Sequence, residues 1–346
     1  MKKSAAKAPK RITYIDTAKC ILILLTLLGH VVISFRQLGN PHPTLLMLIY
    51  TFHMPAFFII TGVVFNTKKW LNASPIKFIT SKFLTLIVPY IFLDITGGVL
   101  IMITSGSASL DGLLPIVKKT FSYLTNVGST WFLPALFIAN VLFYFFLRYY
   151  KKWFKYFAFL PVLLIGAKII PSSPLYIFIT RGIIGFTFMY IGYALKNYFL
   201  DDYNKRYDIL IVAAVLLIMI TKLNGQIDLR NSGVHNPIYM ILGGIVGTFL
   251  TFGIAKHLDN KAFQFYGKNT IVVMATHSIL ILPLYHLLNL RPNNISLVLL
   301  FIIISALEIP IILVYNKLFP KLIGKKKWLK EKPGTAKKRT RKPTKN

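Results

Sequence analysis

Apolar residues run along this chain in blocks of about 20, the length a helix needs to cross ~30 Å of hydrocarbon. The blocks fall at 12–35, 44–66, 78–104, 131–148, 154–170, 176–198, 208–221, 237–255, 270–288 and 295–319, and short polar stretches separate them. The pattern predicts an all-α, polytopic integral membrane protein with about ten transmembrane helices. The seventh block is short. Two connections are long enough to cover something. One is 105–130, with the amphipathic stretch "LDGLLPIVKKTFSYL", and the other is 222–236, "KLNGQIDLRNSGVHN". Pro55, inside the second block, removes one backbone hydrogen bond and is expected to kink that helix.

Composition agrees with this pattern and removes alternatives. Of 346 residues, 55% are apolar, 27 are Phe and only 15% are charged. That is more apolar surface than a soluble domain can hide. Cys20 is the single cysteine, which excludes an intramolecular disulfide framework and a cysteine-based metal site, and no other metal site is expected. After "MKKSAAKAPKR" the apolar run continues with no small-residue cleavage pattern, so the first segment is read as a retained anchor.

The net charge of +31 reads as a topology signal, not as a nucleic-acid footprint. With the amino terminus inside, segments 1–11, 67–77, 148–155, 196–207, 256–269 and 317–346 hold 31 of the 41 Lys and Arg residues, and the opposite connections hold six. The positive-inside rule then puts both termini in the cytoplasm. The expected organisation is a basic cytoplasmic amino terminus (1–11), a membrane domain (12–319) and a basic, disordered cytoplasmic tail (320–346). Anionic lipid headgroups are the natural partners of that tail, and no nucleic acid is expected.

Ionisable side chains inside a span cost about 2.5–3.5 kcal/mol on insertion scales, so each is a functional candidate. Asp16 and Lys19 lie three apart near the inner end of the first helix, as an intrahelical pair or a snorkelling lysine. His30 follows Lys19 by eleven residues, about 1100° of helix, so the two share a face about 16 Å apart along the axis. In "FHMPAFFIITG", His53 enters from the outside at ~13 Å depth and His30 at ~8 Å, so antiparallel helices can bring the rings together. Packing hydrogen bonds and catalysis both fit these histidines. His277 and Glu308, deep in the ninth and tenth spans, fit an interhelical hydrogen bond or a role in a pocket. Trp131 sits at an interface, where aromatic belts are expected anyway. Arg181 lies a turn inside the sixth span and fits a snorkelling side chain.

The order "RITYIDTAKCILILLTLLGH", "FHMPAFFIITG", "KFLTLIVPY", "WFLPALF", "YGKNTIVVMATHS" resembles the acyltransferase-3 family of integral membrane acyltransferases, with the fucose 4-O-acetylase-like branch as the nearest flavour. The likeness spans about residues 11–320. Its most specific element is a basic residue, ten intervening residues and a histidine, here Lys19 and His30, combined with the His-Met-Pro-x-Phe-Phe stretch. The resemblance implies transfer of an acyl group, commonly acetyl, from cytoplasmic acyl-coenzyme A to a hydroxyl of an extracytoplasmic carbohydrate at the cell membrane. It implies that His30 is catalytic and carries the basic role over to Lys19. No permanently bound cofactor is implied, acyl-coenzyme A being a substrate. The family's Arg-x-x-Arg at the start of the third helix is Lys82-x-x-Thr85 here, which leaves Lys77 as a substitute. With no soluble esterase-like domain after the membrane region, the acceptor is acylated directly or through a separate extracytoplasmic protein.

The chemistry fits those residue types. A hydroxyl attacking a thioester must lose its proton, and an imidazole near pKa ~6.5 suits that at neutral pH, as base or as transient nucleophile. His53 or Trp131 would stabilise the developing oxyanion. Lys19, Lys82 and Lys77 would clamp the donor's phosphates. The competing expectation is a transporter or flippase, for a small molecule or a lipid-linked glycan, without covalent chemistry, since carriers hold intramembrane Lys, His and Glu for the same energetic reasons.

Overall fold

The computed structural model describes residues 11–122, 124–149, 174–225, 227–231 and 236–326. Its helices, in chain order, are α1 (Tyr14–Gln37), α2 (Pro43–Val63), α3 (Thr67–Leu71), α4 (Pro75–Lys82), α5 (Val88–Thr104), α6 (Leu113–Phe121) and α7 (Phe132–Tyr149). They continue as α8 (Pro174–Ala194), α9 (Lys196–Leu200), α10 (Tyr207–Asn224), α11 (Pro237–Leu258), α12 (Lys261–Gly267), α13 (Thr270–Leu287) and α14 (Asn294–Leu318). A π-helical turn, Phe83–Ile87, joins α4 to α5, so that Pro75–Thr104 forms one span. Among the described residues, nine helices are long and apolar enough to cross a membrane. They fall on nine of the ten expected blocks. The remaining block, 154–170, lies outside the described residues, as does the basic tail from 327 onward.

Local chemistry sets the boundaries. Proline opens α2, α4 and α11, where its missing N–H is not needed. Ser74, Asn236, Asn260 and Asn293 accept hydrogen bonds from the first free N–H groups of α4, α11, α12 and α14. The π turn lies immediately before Pro89, which cannot donate to the ladder. α2 continues as one helix through Pro55, with Gly244 of α11 packed on the ring. The amphipathic stretch in 105–130 forms α6, which turns Ile116 and Thr120 inward.

α1 is central and packs against α2, α11, α12, α13 and α14. Arg11, at the start of α1, and Lys325, after α14, line the mouth of one cavity, so both ends of the described chain meet at one face, called here the basic face. α7 ends on the face that holds α3, where Arg148 donates to the carbonyls of Leu71 and Ala73. α8 begins near the opposite face, where its Arg181 lies over Trp131.

Membrane helices gain little from hydrophobic attraction to one another, so close backbone contact carries the association. α2 and α8 show it reciprocally. A Cβ on Gly62 would stand 1.9 Å from the Met189 carbonyl oxygen, and one on Gly192 would stand 2.0 Å from that of Ile59. Backbone cannot yield as a side-chain tip can. Gly62→Val is therefore expected to lower the melting temperature in detergent sharply, and Gly192→Val to do the same. A variant melting at the wild-type temperature would show that these helices are not in contact there.

Candidate active site

The basic face opens into a cavity of about 930 Å³. Its mouth is formed by Arg11, Asp16 and Lys19 of the α1 region, Lys268 and Asn269 between α12 and α13, and Lys325. Its throat is apolar, with Ile23, Phe57, Leu86 and Leu133, and leads past His30 and His53. The far end is lined by Arg36, Tyr50, Ser129, Trp131, Asp228 and Arg230. One cavity therefore carries side chains from both ends of the spans, with His30 between them.

At the mouth, the buried Asp16 carboxylate accepts from the Arg11 guanidinium at 2.6 Å and lies 3.5 Å from the Lys19 ammonium. The pair expected from sequence is a triad, with Arg11 as the stronger partner. Asp259, just after α11, accepts from Thr13 and Thr17 at 2.6 and 2.7 Å and pins this end of α1. Asn269 is buried and accepts from both Asn316 and Lys325. Burial and the neighbouring Lys268 together hold the Lys325 ammonium below the ordinary lysine value.

Three imidazoles meet at the middle. His30 and His277 are in edge contact, ring centroids 4.9 Å apart, and His53 is within electrostatic reach of His30. Two of the three are committed to their own helices. Nδ1 of His53 bonds the Ile49 carbonyl at 2.8 Å and Nδ1 of His277 bonds that of Val273 at 2.6 Å. A carbonyl only accepts, so each of these rings carries its proton on Nδ1. His30 makes no ring hydrogen bond among the described residues and borders the cavity. No group of three His, Cys, Asp or Glu side chains among the described residues is placed to hold a metal ion, this trio included.

A family model described as an acyltransferase domain matches residues 12–315. The chain belongs to the acyltransferase-3 family. No curated protein and no solved structure matches it. It is a multi-pass membrane protein of acyltransferase type, and the match covers every described span, stopping just short of the end of α14. Lys325 lies beyond the matched region.

The structure of this acyltransferase brings Asp16, Lys19, His30, His53 and Trp131 to one cavity. Three other expected site residues stand apart. Lys82 is over the rings of Phe78 and Trp70, 5.6 and 5.9 Å from their centroids, and does not line the cavity. Lys77 is exposed at the start of α4 and is likewise absent from the lining. Glu308 is fully buried behind α13, where its carboxylate oxygens both stand 2.8 Å from the Thr276 hydroxyl and share its single proton in an interhelical hydrogen bond. His277 corresponds to neither sequence reading in full. Its one hydrogen bond stays within its own helix, while its ring backs His30 from behind the cavity wall. Arg181 does not snorkel: it is buried, donates to the Arg230 carbonyl at 2.5 Å and covers Trp131 at 5.3 Å.

Sequence reasoning missed Arg11, Lys268, Lys325 and Arg230, which look like ordinary loop or end cations until the fold converges them. It also missed Asp94, for which a signal existed, a carboxylate inside the third span. The fully buried Asp94 accepts from Thr120 and Thr130 hydroxyls at 2.7 Å, the Asn126 amide at 3.0 Å, and the backbone N–H groups of Asn126 and Val127 at 3.1 and 3.0 Å. It thereby holds the segment that presents Ser129 and Trp131 to the cavity.

Proposed function

We propose that this protein is an O-acyltransferase, acetyl being the preferred group, which takes the acyl unit from acyl-coenzyme A at the basic face and delivers it to a hydroxyl of a carbohydrate at the far face. The order of its sequence motifs resembles the fucose 4-O-acetylase-like branch, which supports a sugar hydroxyl as acceptor. The positive-inside count supports a cytoplasmic basic face and an extracytoplasmic far face, and the membrane on this reading is the plasma membrane. The observation that carries this reading is the cavity itself, cationic at one mouth, apolar in its throat, bordered by an uncommitted imidazole, and aromatic at its other end.

The acceptor hydroxyl attacks the thioester carbonyl, a C–O bond forms and the C–S bond breaks. His30 removes the hydroxyl proton and returns it to the departing thiolate, so that coenzyme A leaves as the thiol. Trp131, covered on one side by Arg181, lines the same cavity as His30 and would form the aromatic wall against which a sugar is held. Nδ1 of His53 is spent on Ile49, so the ring presents only an acceptor nitrogen, which argues against its service as a neutral oxyanion donor.

Incubating membranes with radiolabelled acetyl-coenzyme A tests the reading. Label is expected to move to carbohydrate in wild-type membranes, and surface glycans are expected to lose the acetyl mass increment when the protein is absent. Uptake or flipping of a substrate with no label transferred would replace the enzyme reading with a carrier.

A further inference from the structure

The mouth of the cavity holds more positive charge than its own carboxylate can use. Asp16 is occupied by Arg11 and Lys19. Lys268 and Lys325 have no carboxylate within ion-pair distance among the described residues. Among the described residues, the one hydrogen-bond acceptor of the Lys325 ammonium is the neutral amide oxygen of Asn269. Asp259 is the one carboxylate in electrostatic reach of Lys268 among the described residues, and it is spent on Thr13, Thr17 and Gln264 outside the cavity. Two neighbouring ammonium groups with no direct ion-pair partner repel each other, and a fold keeps them together most readily where an anion joins them.

The turn after α14 sets this arrangement. There the chain bends tightly, and Ile323 donates to the Phe319 carbonyl at 3.1 Å and Lys325 to that of Pro320 at 2.8 Å. Gly324 has φ +74°, a conformation other residues resist, and a Cβ there would meet the Thr85 carbonyl oxygen of the π turn at 3.1 Å. The turn is thus seated under the third span, with Ile323 buried, and this seating aims Lys325 into the mouth. Lys82, the cation that the third span itself offers, faces aromatic rings away from the cavity.

We infer that Lys268 and Lys325 bind the nucleotide phosphates of the acyl donor, and that the turn after the last span, not the third helix, supplies the donor clamp. This rests on the reading of acyl-coenzyme A as donor. The ligand class follows from the cavity: a polyanionic head at the paired lysines, then a long neutral arm through the apolar throat to His30, at least the ~16 Å of rise from Lys19 to His30.

Initial-rate kinetics on membranes test it with acetyl-coenzyme A, 3′-dephospho-acetyl-coenzyme A and acetylpantetheine as donors. Lys268→Gln and Lys325→Gln are each expected to raise KM for acetyl-coenzyme A about tenfold with kcat within twofold, Lys325→Arg to restore it, and KM for acetylpantetheine to stay unchanged in all variants. Gly324→Val is expected to match Lys325→Gln. An unchanged KM for acetyl-coenzyme A in both Gln variants, with transfer intact, overturns the clamp and leaves the enzyme reading standing. Absence of transfer from any of the three donors by wild type overturns both.

Discussion

Membranes carrying His30→Ala are expected to retain normal amounts of the protein and to lose acyl transfer by roughly 10²–10⁴-fold, the usual worth of a positioned acid–base group. The structure singles out this histidine among three. His53 and His277 spend Nδ1 on the carbonyl four residues earlier in their own helices, whereas the His30 ring is free of protein hydrogen bonds among the described residues and borders the cavity. KM for the donor should change little, because the ring lies about three helical turns from Lys19 at the mouth. The helix should survive the change, since the His30 carbonyl that accepts from Ser34 at 3.1 Å belongs to the backbone. His277→Ala is the informative control. It leaves His30 in the cavity wall and removes only the ring behind it, so a smaller loss is expected, arising from a less fixed His30 ring. Transfer by His30→Ala within tenfold of wild type would remove the imidazole from the reaction.

The largest stability effect is expected at Asp94. Removing that carboxylate strands the backbone N–H groups of Asn126 and Val127 and takes one acceptor from the side chains of Thr120, Asn126 and Thr130, which keep the carbonyls of Ile116 and Val127. Buried unsatisfied groups cost about 1–3 kcal/mol each, and even with partial rearrangement the total for Asp94→Ala should exceed roughly 3 kcal/mol. The measurement is the melting temperature in detergent, with protein level in the membrane as a second readout. Asp94→Asn should fall between, because its oxygen still accepts from Val127 and Thr130 while its amide opposes the donors of Thr120 and Asn126. Activity per folded molecule should also drop in both, since Ser129 and Trp131 hang from this segment. A wild-type melting temperature for Asp94→Ala would mean that α5 and the loop before α7 are held together by something else.

Much of this architecture could be read before any coordinates. Hydrocarbon thickness imposes a length on each apolar block, and blocks such as 237–255 and 270–288 differ from α11 and α13 by no more than three residues at either end. The Lys19–His30 face was legible because eleven residues nearly complete three turns, and the Asp16–Lys19 contact because neighbours three apart share a surface. The rest depended on which helices become neighbours, a matter that periodicity does not encode. His277 stands 247 positions from His30 in the chain, and only the α1–α13 packing sets their rings together. In sequence Lys325 is one more basic residue of a tail, and only the seating of Gly324 beneath Thr85 sets it apart. Lys82 misled in the opposite direction. It follows a helical start in sequence, but the aromatic pair Trp70 and Phe78 holds its ammonium away from the cavity.

A cavity lined from both faces poses a hazard that a soluble enzyme never meets, the dissipation of the ion gradients on which the cell runs. The charge distribution already described answers it in part. Sodium ions and protons approaching the basic mouth meet Arg11, Lys19, Lys268 and Lys325 against a single carboxylate, and any ion that passes must shed water in a throat of Ile23, Phe57, Leu86 and Leu133. The same features that would welcome an anionic head with a greasy arm therefore make the passage a poor conductor when nothing fills it.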